Sequence, residues 1–289
     1  MRPAKSNFLN FGFHMENSTL QWTTSDGLKI FGKCWPVEQP KAVLNIAHGM
    51  GEHIQRYEHV AAFYNRHNIA VIGNDHRGHG LSEGKKGHIP EYSALLDEMD
   101  QLLEQSRQRF PGVPQFLFGQ SLGGNIVLNY ALRRQPQLAG VIASSPWIQL
   151  EFRPNPVSVM AGKLLKNLYP TFSQPTDLKP EHLSTDPEVG RIYQADPLVH
   201  SRITAAMGTE MLDAADYLHQ YSGKFPLPLL IMHGTEDHII SFDASRQFAE
   251  RVDGPVTFIP WKGLYHELHN ETRQEEVLNT SLQWVQEHL

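Results

Sequence analysis

The stretch that decides the fold is Gly119-Gln120-Ser121-Leu122-Gly123. Residues 115–118 before it are mostly apolar, as in a buried strand, and residues 124–132 after it have the spacing of a helix with one apolar face. Gly-x-Ser-x-Gly between a strand and a helix is typical of a nucleophile elbow, a strained turn that holds a serine hydroxyl at the edge of a sheet. The pattern predicts Ser121 as a nucleophile, although a glycine-rich turn with an incidental serine would have the same five residues.

Strand and helix patterns alternate along the rest of the chain. The alternating segments Leu20 to Thr24 and Leu28 to Trp35 are joined by Ser25-Asp26-Gly27, which predicts a hairpin. Further strands are predicted at 42–47, 69–75, 141–143, 229–232 and 256–259, and helices at 57–67, 90–110, 244–252 and 271–288. This order predicts an α/β fold, with a mostly parallel central sheet flanked by helices and opened by an antiparallel hairpin.

Residues 147–221 interrupt the alternation. They contain several prolines, short helical pieces and no strand pattern, and they are too long for a simple loop. The sequence therefore predicts an α/β core in two parts, 1–146 and 222–289, with a helical cap or lid at 147–221 inserted after the sixth strand. Because the insertion leaves and rejoins the carboxyl edge of the sheet, we expect it to cover Ser121, unless it is a peripheral excursion without a role.

A serine nucleophile requires a base and an acid, and both are expected at later strand ends. His266 follows the last predicted strand on a loop that contains Gly263, and His269 is the alternative base. Asp237 follows the preceding strand and would orient the histidine. Glu236 and Asp243 are the alternative acids. The order Ser, Asp, His along the chain is the order that α/β-hydrolases use.

The tetrahedral intermediate requires two N–H donors. One is expected from the backbone of Leu122, directly after the nucleophile, and the other from the loop after the third strand. Met50 is the predicted second donor, because glycines at 49 and 51 allow its amide to turn inward. Glu52 and His53 are expected to support this oxyanion loop by hydrogen bonds.

Composition excludes several classes of function. A net charge of −6 gives no electrostatic basis for binding nucleic acid. The single cysteine, Cys34, excludes an internal disulfide and favours a reducing compartment. Residues 1–15 lack the pattern of a signal peptide, and no run of about 18 apolar residues predicts a membrane span. None of the sixteen histidines falls at a familiar zinc spacing, so we expect no metal.

Four motifs together closely resemble one family. They are residues 48–53 with Arg56 and Tyr57, residues 75–84, residues 119–124 and residues 266–271. The set resembles the monoacylglycerol lipase and lysophospholipase family of α/β-hydrolases, from about Leu20 to the end of the chain. The cap segment 192–198 also looks like the family's. The resemblance implies hydrolysis of one acyl ester on a glycerol-like backbone without a cofactor, with a triad of Ser121, Asp237 and His266.

Two features qualify the resemblance. Many members of the family carry histidine where this chain has Gln120, which leaves the chemistry intact and the exact substrate open. The loop that begins at Asp75 could be taken for a metal or phosphate site. We interpret it as a structural turn in which Asp75 and Arg77 form an ion pair.

The cap is unusually apolar for a surface segment. Trp147, Val159, Met160 and Leu164 are predicted to contact an acyl chain, and nearby lysines suggest that the cap could rest on a membrane or micelle. The alternative is that these apolar residues only pack against the core. The sequence thus predicts a cytoplasmic serine ester hydrolase for a single-chain lipid, peripheral at most to a membrane and of unknown oligomeric state. A carboxylesterase for short soluble esters and a non-catalytic ligand-binding protein of the same fold are the alternatives.

Overall fold

The computed structural model describes residues 18–152 and 155–289. The expectation that no signal peptide is present concerns residues outside this range. The strands are β1 Ser18–Thr23, β2 Lys29–Trp35, β3 Ala42–Ala47, β4 Ile69–Asn74, β5 Gln115–Gln120, β6 Gly140–Ser144, β7 Ser173–Pro175, β8 Arg202–Thr204, β9 Leu229–Gly234 and β10 Val256–Trp261. The helices are α1 Glu58–Asn65, α2 Ser93–Arg109, α3 Leu122–Arg134, α4 Pro156–Leu168, α5 Pro187–Ala195, α6 Ala205–Gln220, α7 Phe242–Arg251 and α8 Gln274–Glu287.

Within the described residues, eight strands form the central sheet in the order β1-β2-β4-β3-β5-β6-β9-β10. Strand β2 is antiparallel to both β1 and β4, and the strands from β4 to β10 in this order are parallel. The predicted α/β-hydrolase fold and its opening hairpin are confirmed. The predicted helix at 57–67 begins one turn earlier, as a short 3₁₀ turn at Ile54–Tyr57.

The sheet is buried on both faces, which explains the continuous apolar runs in its parallel strands. Side chains alternate between the two faces along each strand, so Val43 and Ala47 join one apolar cluster while Leu44 and Ile46 join the other. The first cluster includes residues of α2, α3, α6 and α7, and the second includes residues of α1 and α8. This arrangement leaves the carboxyl edge of the parallel strands free for a site.

The insertion between β6 and β9 contains α4, α5 and α6. Proline at the first position and a capping side chain begin two of them: Asn155 accepts a hydrogen bond from Val157 N at α4, and Asp186 accepts one from Glu188 N at α5. The expectation that this insertion has no strand is wrong, because β7 and β8 pair antiparallel. Each has only three residues, which is too short to produce a recognisable alternation.

Two parts of this insertion are attached in different ways. We call α4 the outer cap helix, and residues 183–204 the docked cap segment. No residue of the outer cap helix is buried, whereas the docked cap segment buries Leu183, Tyr193 and His200. No helix in the described part of the chain has the length and apolar character needed to cross a bilayer.

Candidate active site

Ser121 occupies a strained turn between β5 and α3. Its φ of 54° and ψ of −111° lie outside the regions that residues with a Cβ normally adopt. A Cβ at Gly119 would collide with the carbonyl oxygen of Gly123, and a Cβ at Gly123 would collide with that of Ala47. The structure confirms that only glycine fits at these two positions, so the elbow geometry follows directly from the pentapeptide.

The oxyanion loop begins directly after β3 and lies against the elbow. A Cβ built on Gly49 would be 3.5 Å from the Cβ of Ser121 and 2.5 Å from Oε1 of Gln120. Gly49 N donates to Oε1 of Glu52 at 2.6 Å, and this hydrogen bond fixes the conformation of the loop. Gly51 has a φ of +80°, a conformation that favours glycine.

Met50 and Leu122, the two predicted oxyanion donors, directly follow Gly49 and Ser121, the two residues that approach each other here. Leu122 is the first residue of α3, where backbone N–H groups have no partner inside the helix. Within residues 18–152 and 155–289, neither amide donates a hydrogen bond to another protein group. Both donors are thus available to a ligand, at the positive end of a helix dipole in the case of Leu122.

Asp237 and His266 are brought together from the loops after β9 and β10. His266 Nδ1 lies 2.7 Å from Oδ2 of Asp237, and both side chains are buried. An ionised carboxylate only accepts hydrogen bonds, so Nδ1 carries the proton and Nε2 is left as the basic nitrogen. The loop that carries His266 packs closely on Gly234, where any Cβ would collide with the carbonyl oxygens of Leu264 and Tyr265.

The electrostatics keep Asp237 charged and His266 basic. Burial alone raises the pKa of Asp237, but the neighbouring imidazoles of His266 and His233 outweigh it and hold the pKa well below its usual range. Burial likewise lowers the pKa of His266, and the charge and hydrogen bond of Asp237 outweigh it, so the net shift is upward from 6.5. A charged acid beside a histidine of raised pKa suits a general base.

His233 is a member of this cluster that the sequence analysis missed. Its Nε2 lies 3.0 Å from the same Oδ2 of Asp237, and its Nδ1 lies 2.8 Å from Oγ of Ser245. The other carboxylate oxygen of Asp237 accepts from Ile239 N and Ile240 N at 2.8 and 3.0 Å. The only signal in the sequence is a histidine at the end of β9, four residues before the acid.

The alternative residues are placed elsewhere. His269 is buried in a stack on Tyr57, at 4.7 Å between ring centroids, and burial lowers its pKa to about 3. Glu236 is exposed, and Asp243 is exposed and pairs with Arg246. None of the three makes a hydrogen bond to His266 in the described structure, whereas Asp237 does.

One contact of a serine triad is not formed. In the part of the chain that the structure describes, the hydroxyl of Ser121 makes no hydrogen bond, and the one bond of the His266 ring is to Asp237. Catalytic hydrogen bonds are frequently long in the absence of substrate and tighten when it binds.

The loop after β4 differs from its interpretation. The expected ion pair between Asp75 and Arg77 is wrong. Arg77 pairs instead with Glu98 of α2 and with Asp26 in the β1–β2 turn, while Asp75 accepts from Ile54 N and Leu81 N, both at 2.7 Å. The carboxylate of Asp75 is occupied by these two backbone amides. The guanidinium of Arg77 therefore pairs with carboxylates farther away in the chain.

Gln120 stands where many members of the family carry histidine, and it is buried against the oxyanion loop. Its Oε1 lies against Gly49, and its Nε2 has no hydrogen-bond partner among the described residues. No group of three or more histidine, cysteine or acidic side chains in the described residues is arranged to hold a metal ion.

The four residues predicted to contact an acyl chain lie in three different environments. Trp147 is buried at the elbow, where its N donates to Ser121 O at 3.0 Å, and it lines a cleft of about 340 Å³ with α6. Val159 lies on the half-buried side of α4 that faces α6. Met160 and Leu164 lie on the outer side and are 68% and 61% exposed.

Known proteins resemble this chain over most of its length. The Hydrolase_4 family model, described as serine aminopeptidase, S33, matches residues 38–273. An uncharacterised abhydrolase domain-containing protein of Dictyostelium discoideum is 35% identical over 95% of this chain, which spans 30% of that protein. A monoacylglycerol lipase of Mycolicibacterium smegmatis is 32% identical, covering 91% of this chain and 95% of the lipase.

A solved structure agrees with these relatives. The crystal structure of a monoacylglycerol lipase from Paleococcus ferrophilus superimposes with a TM-score of 0.83 at 30% identity, covering 90% of this chain and 99% of that one. The resemblance drawn from four motifs is confirmed. The chain belongs to the serine aminopeptidase, S33, family of hydrolases, alongside proteins named monoacylglycerol lipases.

Proposed function

We propose that the protein is a serine ester hydrolase that cleaves the acyl ester of a single-chain lipid. The observation that carries the proposal is the Asp237–His266 pair, joined at 2.7 Å at the sheet edge where Ser121 occupies the strained elbow. A buried carboxylate that orients an imidazole, and a serine held outside the normal backbone regions, are the parts that acyl transfer requires.

The reaction follows from these groups. Oγ of Ser121 attacks the ester carbonyl while Nε2 of His266 takes its proton, and the amides of Met50 and Leu122 hold the oxyanion. Nε2 then protonates the leaving alcohol, and the acyl group remains on Ser121. Water attacks the acyl-enzyme with His266 as base, releasing the fatty acid and restoring the serine. Asp237 stabilises the imidazolium at each stage.

A monoacylglycerol-type substrate is favoured by the relatives and by the cap. Two of the similar proteins are named monoacylglycerol lipases. One of them has a solved structure, and its sequence is 30% identical to this chain. Trp147 and the apolar cleft beside it can receive an acyl chain, and no cofactor is required for this chemistry.

The outer cap helix supports a second part of the proposal, transient contact with a membrane or micelle. Four apolar side chains recur on one side of α4 and are more than 60% exposed: Val157, Met160, Leu164 and Leu168. A helix with such a face and lysines beside it can lie at a lipid interface. This contact would deliver an insoluble ester to the site.

Substitution of the nucleophile tests the proposal. We expect Ser121→Ala to lower kcat for a monoacylglycerol by roughly 10⁴–10⁶-fold without unfolding the protein, because no other group can form the acyl-enzyme. Ser145→Ala is the matched control, since Ser145 is also buried with a positive φ of 42°. A fluorophosphonate probe should label the wild type and the control and leave Ser121→Ala unlabelled.

A panel of substrates separates the alternatives. Monoacylglycerols, lysophospholipids, short p-nitrophenyl esters and aminoacyl p-nitroanilides would be compared at equal enzyme concentration. A preference for short soluble esters or for the anilides would replace the lipid substrate, and an unlabelled, inactive wild type would leave only a ligand-binding role. Turnover by Ser121→Ala equal to that of the wild type would remove the proposal altogether.

A further inference from the structure

Three charged side chains are buried together beside the site. Glu52, Arg56 and Glu267 are 2%, 9% and 3% exposed at their side chains. Arg56 donates from both terminal nitrogens to the two carboxylate oxygens of Glu267, each at 2.8 Å, and its Nη1 also pairs with Glu52. The guanidinium thus joins two carboxylates that are more than two hundred residues apart in the chain.

Each carboxylate is attached to one half of the catalytic apparatus. Oε1 of Glu52 accepts from Gly49 N at 2.6 Å and from the hydroxyl of Tyr57 at 2.8 Å, so it holds the oxyanion loop. Glu267 directly follows His266 in the chain, and its carboxylate also accepts from Asn270 at 2.7 Å. Arg56 is therefore the link between the loop that would bind the oxyanion and the loop that carries the base.

Stability alone does not explain this cluster. Buried ion pairs commonly contribute no more to folding than apolar side chains of similar volume, because burial removes the charges from water. What a bidentate guanidinium adds is geometry, since its planar fork fixes the relative position of two carboxylates. The cluster therefore suits a part of the molecule where position has to be accurate.

We propose that Glu52, Arg56 and Glu267 are positioning residues, which fix the oxyanion loop relative to His266 and surround the base with net negative charge. The proposal rests on the proposed function, because it assigns these residues to the same serine hydrolase site. None of the three touches the reacting atoms in the mechanism, and each acts through a catalytic group.

The charge of the cluster also acts on the base. The charged or titratable groups around the His266 ring are Asp237, His233, Glu267, Glu52, Arg56 and His269. With both carboxylates ionised, the three buried residues carry a net charge of −1. Both Glu267 and Glu52 contribute to raising the pKa of His266, although burial of the ring and Asp237 have larger effects. Removal of one carboxylate charge would make the cluster neutral and the imidazole less basic.

Glu267→Gln tests both parts of the proposal. We expect kcat to fall by roughly 10–100-fold with KM nearly unchanged, because the oxyanion loop loses its fixed position relative to the base. We also expect the acid limb of the kcat/KM profile to move to lower pH by roughly 0.5–1 unit, because the charge beside His266 is lost. The measurements are steady-state kinetics from pH 5 to 9 on protein whose folding is verified by thermal unfolding.

Glu98→Gln is the matched control. Glu98 is 1% exposed and pairs with Arg77, so this variant also breaks a buried Arg–Glu pair, but one between α2 and the loop after β4. We expect this control to lose stability without any change in kcat or in the acid limb. If Glu267→Gln behaves like this control, losing stability but keeping kcat and the pH profile, the proposal is overturned.

Arg56→Lys keeps the test decisive if Glu267→Gln does not fold. Lysine retains the charge but cannot hold both carboxylates in a fixed plane, so kcat should fall while the acid limb stays where it is in the wild type. Unchanged kcat in folded Arg56→Lys would contradict the positioning role. An inactive wild type that no fluorophosphonate labels would instead remove the proposed function, so the two failures are distinguishable.

Discussion

The outer cap helix and the docked cap segment belong to the same insertion, yet they contact the rest of the protein in opposite ways. The outer helix contacts α6 through one half-buried side and two lysine pairs, Lys166 with Glu210 at 2.5 Å and Lys163 with Asp213 at 3.9 Å. Its other side is apolar and exposed. The docked segment has one large apolar side chain that is exposed, Ile192 at 52%, and it is held to the core by several hydrogen bonds.

Several polar contacts of the docked segment reach the candidate site. His200 N donates to Gly51 O at 2.9 Å, Asp196 lies 2.8 Å from Nε2 of His53, and the ring of Tyr193 lies 4.9 Å from the guanidinium of Arg56. At its beginning, Leu183 O accepts from Glu267 N at 2.7 Å. The docked segment thus holds the oxyanion loop and the loop of the base.

Under the proposed function, this difference assigns two tasks to one insertion. A site that stabilises an oxyanion needs donors that are already in position, which suits a segment fixed by hydrogen bonds. An insoluble substrate needs an apolar surface that can meet lipid and move, which suits a helix with few contacts. We therefore expect substitutions in the docked segment and its partners to change kcat, and substitutions in the outer helix to change access to lipid.

Matched glycine substitutions give the largest expected contrast. In Gly51→Ala, the new Cβ would collide with the carbonyl oxygen of His200 at a φ of +80°, so the docked segment and the oxyanion loop cannot both keep their places. We expect kcat to fall roughly 100-fold and the unfolding free energy to fall by about 1–3 kcal/mol. Kinetics on a soluble ester and urea unfolding measure the two effects.

Gly162→Ala is the counterpart in the outer cap helix. The nearest atom to its new Cβ is Oγ1 of Thr209 at 3.9 Å, which is ordinary contact. Since alanine favours a helix interior over glycine, we expect the unfolding free energy to rise by about 0.5–1 kcal/mol, with kcat unchanged. Equal kinetic effects of the two substitutions would break the distinction between the two parts of the cap.

Acid should loosen the docked segment and not the outer helix. Burial and the charge of Lys86 lower the pKa of His200 to about 4, and the ring also lies against His79 at 4.6 Å between centroids. A released segment would have a His200 pKa near 6.5 and would bind a proton more readily. Docking is therefore strongest above pH 6.5 and weakens as the pH falls toward 4, by at most about 1.4 kcal/mol per pH unit.

Hydrogen exchange checks this pH dependence. With intrinsic rates corrected, protection of residues 187–204 should decrease from pH 7 to pH 5, while protection of α4 should stay low and constant. His200→Asn keeps an acceptor for the Arg202 amide, which now bonds to Nδ1 at 3.2 Å, and removes the titration. Docking that weakens equally in acid with and without His200 would show that another group is responsible.

The sequence predicted what local chemistry determines. Ser121 was predicted as the nucleophile because the elbow requires glycine at fixed offsets, and the sheet was predicted because its strands are short apolar runs between turn signals. Asp237 and His266 were predicted from their order along the chain and from their positions just after strands. The structure places the carboxylate and the imidazole 2.7 Å apart. In each case the signal lies within a few neighbouring residues.

The misses are contacts that no local sequence pattern specifies. Arg77 was assigned to its neighbour Asp75, but it reaches Glu98 and Asp26, 21 and 51 residues away. His233 gave no signal of its bond to Asp237, because histidine at a strand end has no preferred partner. The sequence also could not distinguish the outer cap helix from the docked cap segment, since only the tertiary structure shows which apolar residues of the cap are buried.

The exposed apolar side chains of the outer cap helix, Val157, Met160, Leu164 and Leu168, form a stripe on its outer side. Polar substitution of this outer stripe gives the smallest expected effect on stability and tests whether the stripe contacts lipid. Val157 and Leu168 are 68% and 74% exposed at the two ends of the stripe. In the double variant Val157→Gln, Leu168→Gln, we expect the unfolding free energy to stay within about 0.5 kcal/mol of the wild type, because little packing is lost. Turnover of a soluble short ester should also be unchanged.

Turnover of monoacylglycerol in lipid vesicles should fall roughly 5–10-fold in the same variant, because less apolar surface is available to enter the interface. Lys163→Gln, on the same helix, controls for the introduction of glutamine outside the stripe. A loss of about 2 kcal/mol in stability would mean that the stripe is packed after all. Equal losses on the soluble ester and on vesicles would mean that the stripe lines the path to Ser121, so that both parts of the cap serve the chemistry and neither is reserved for lipid.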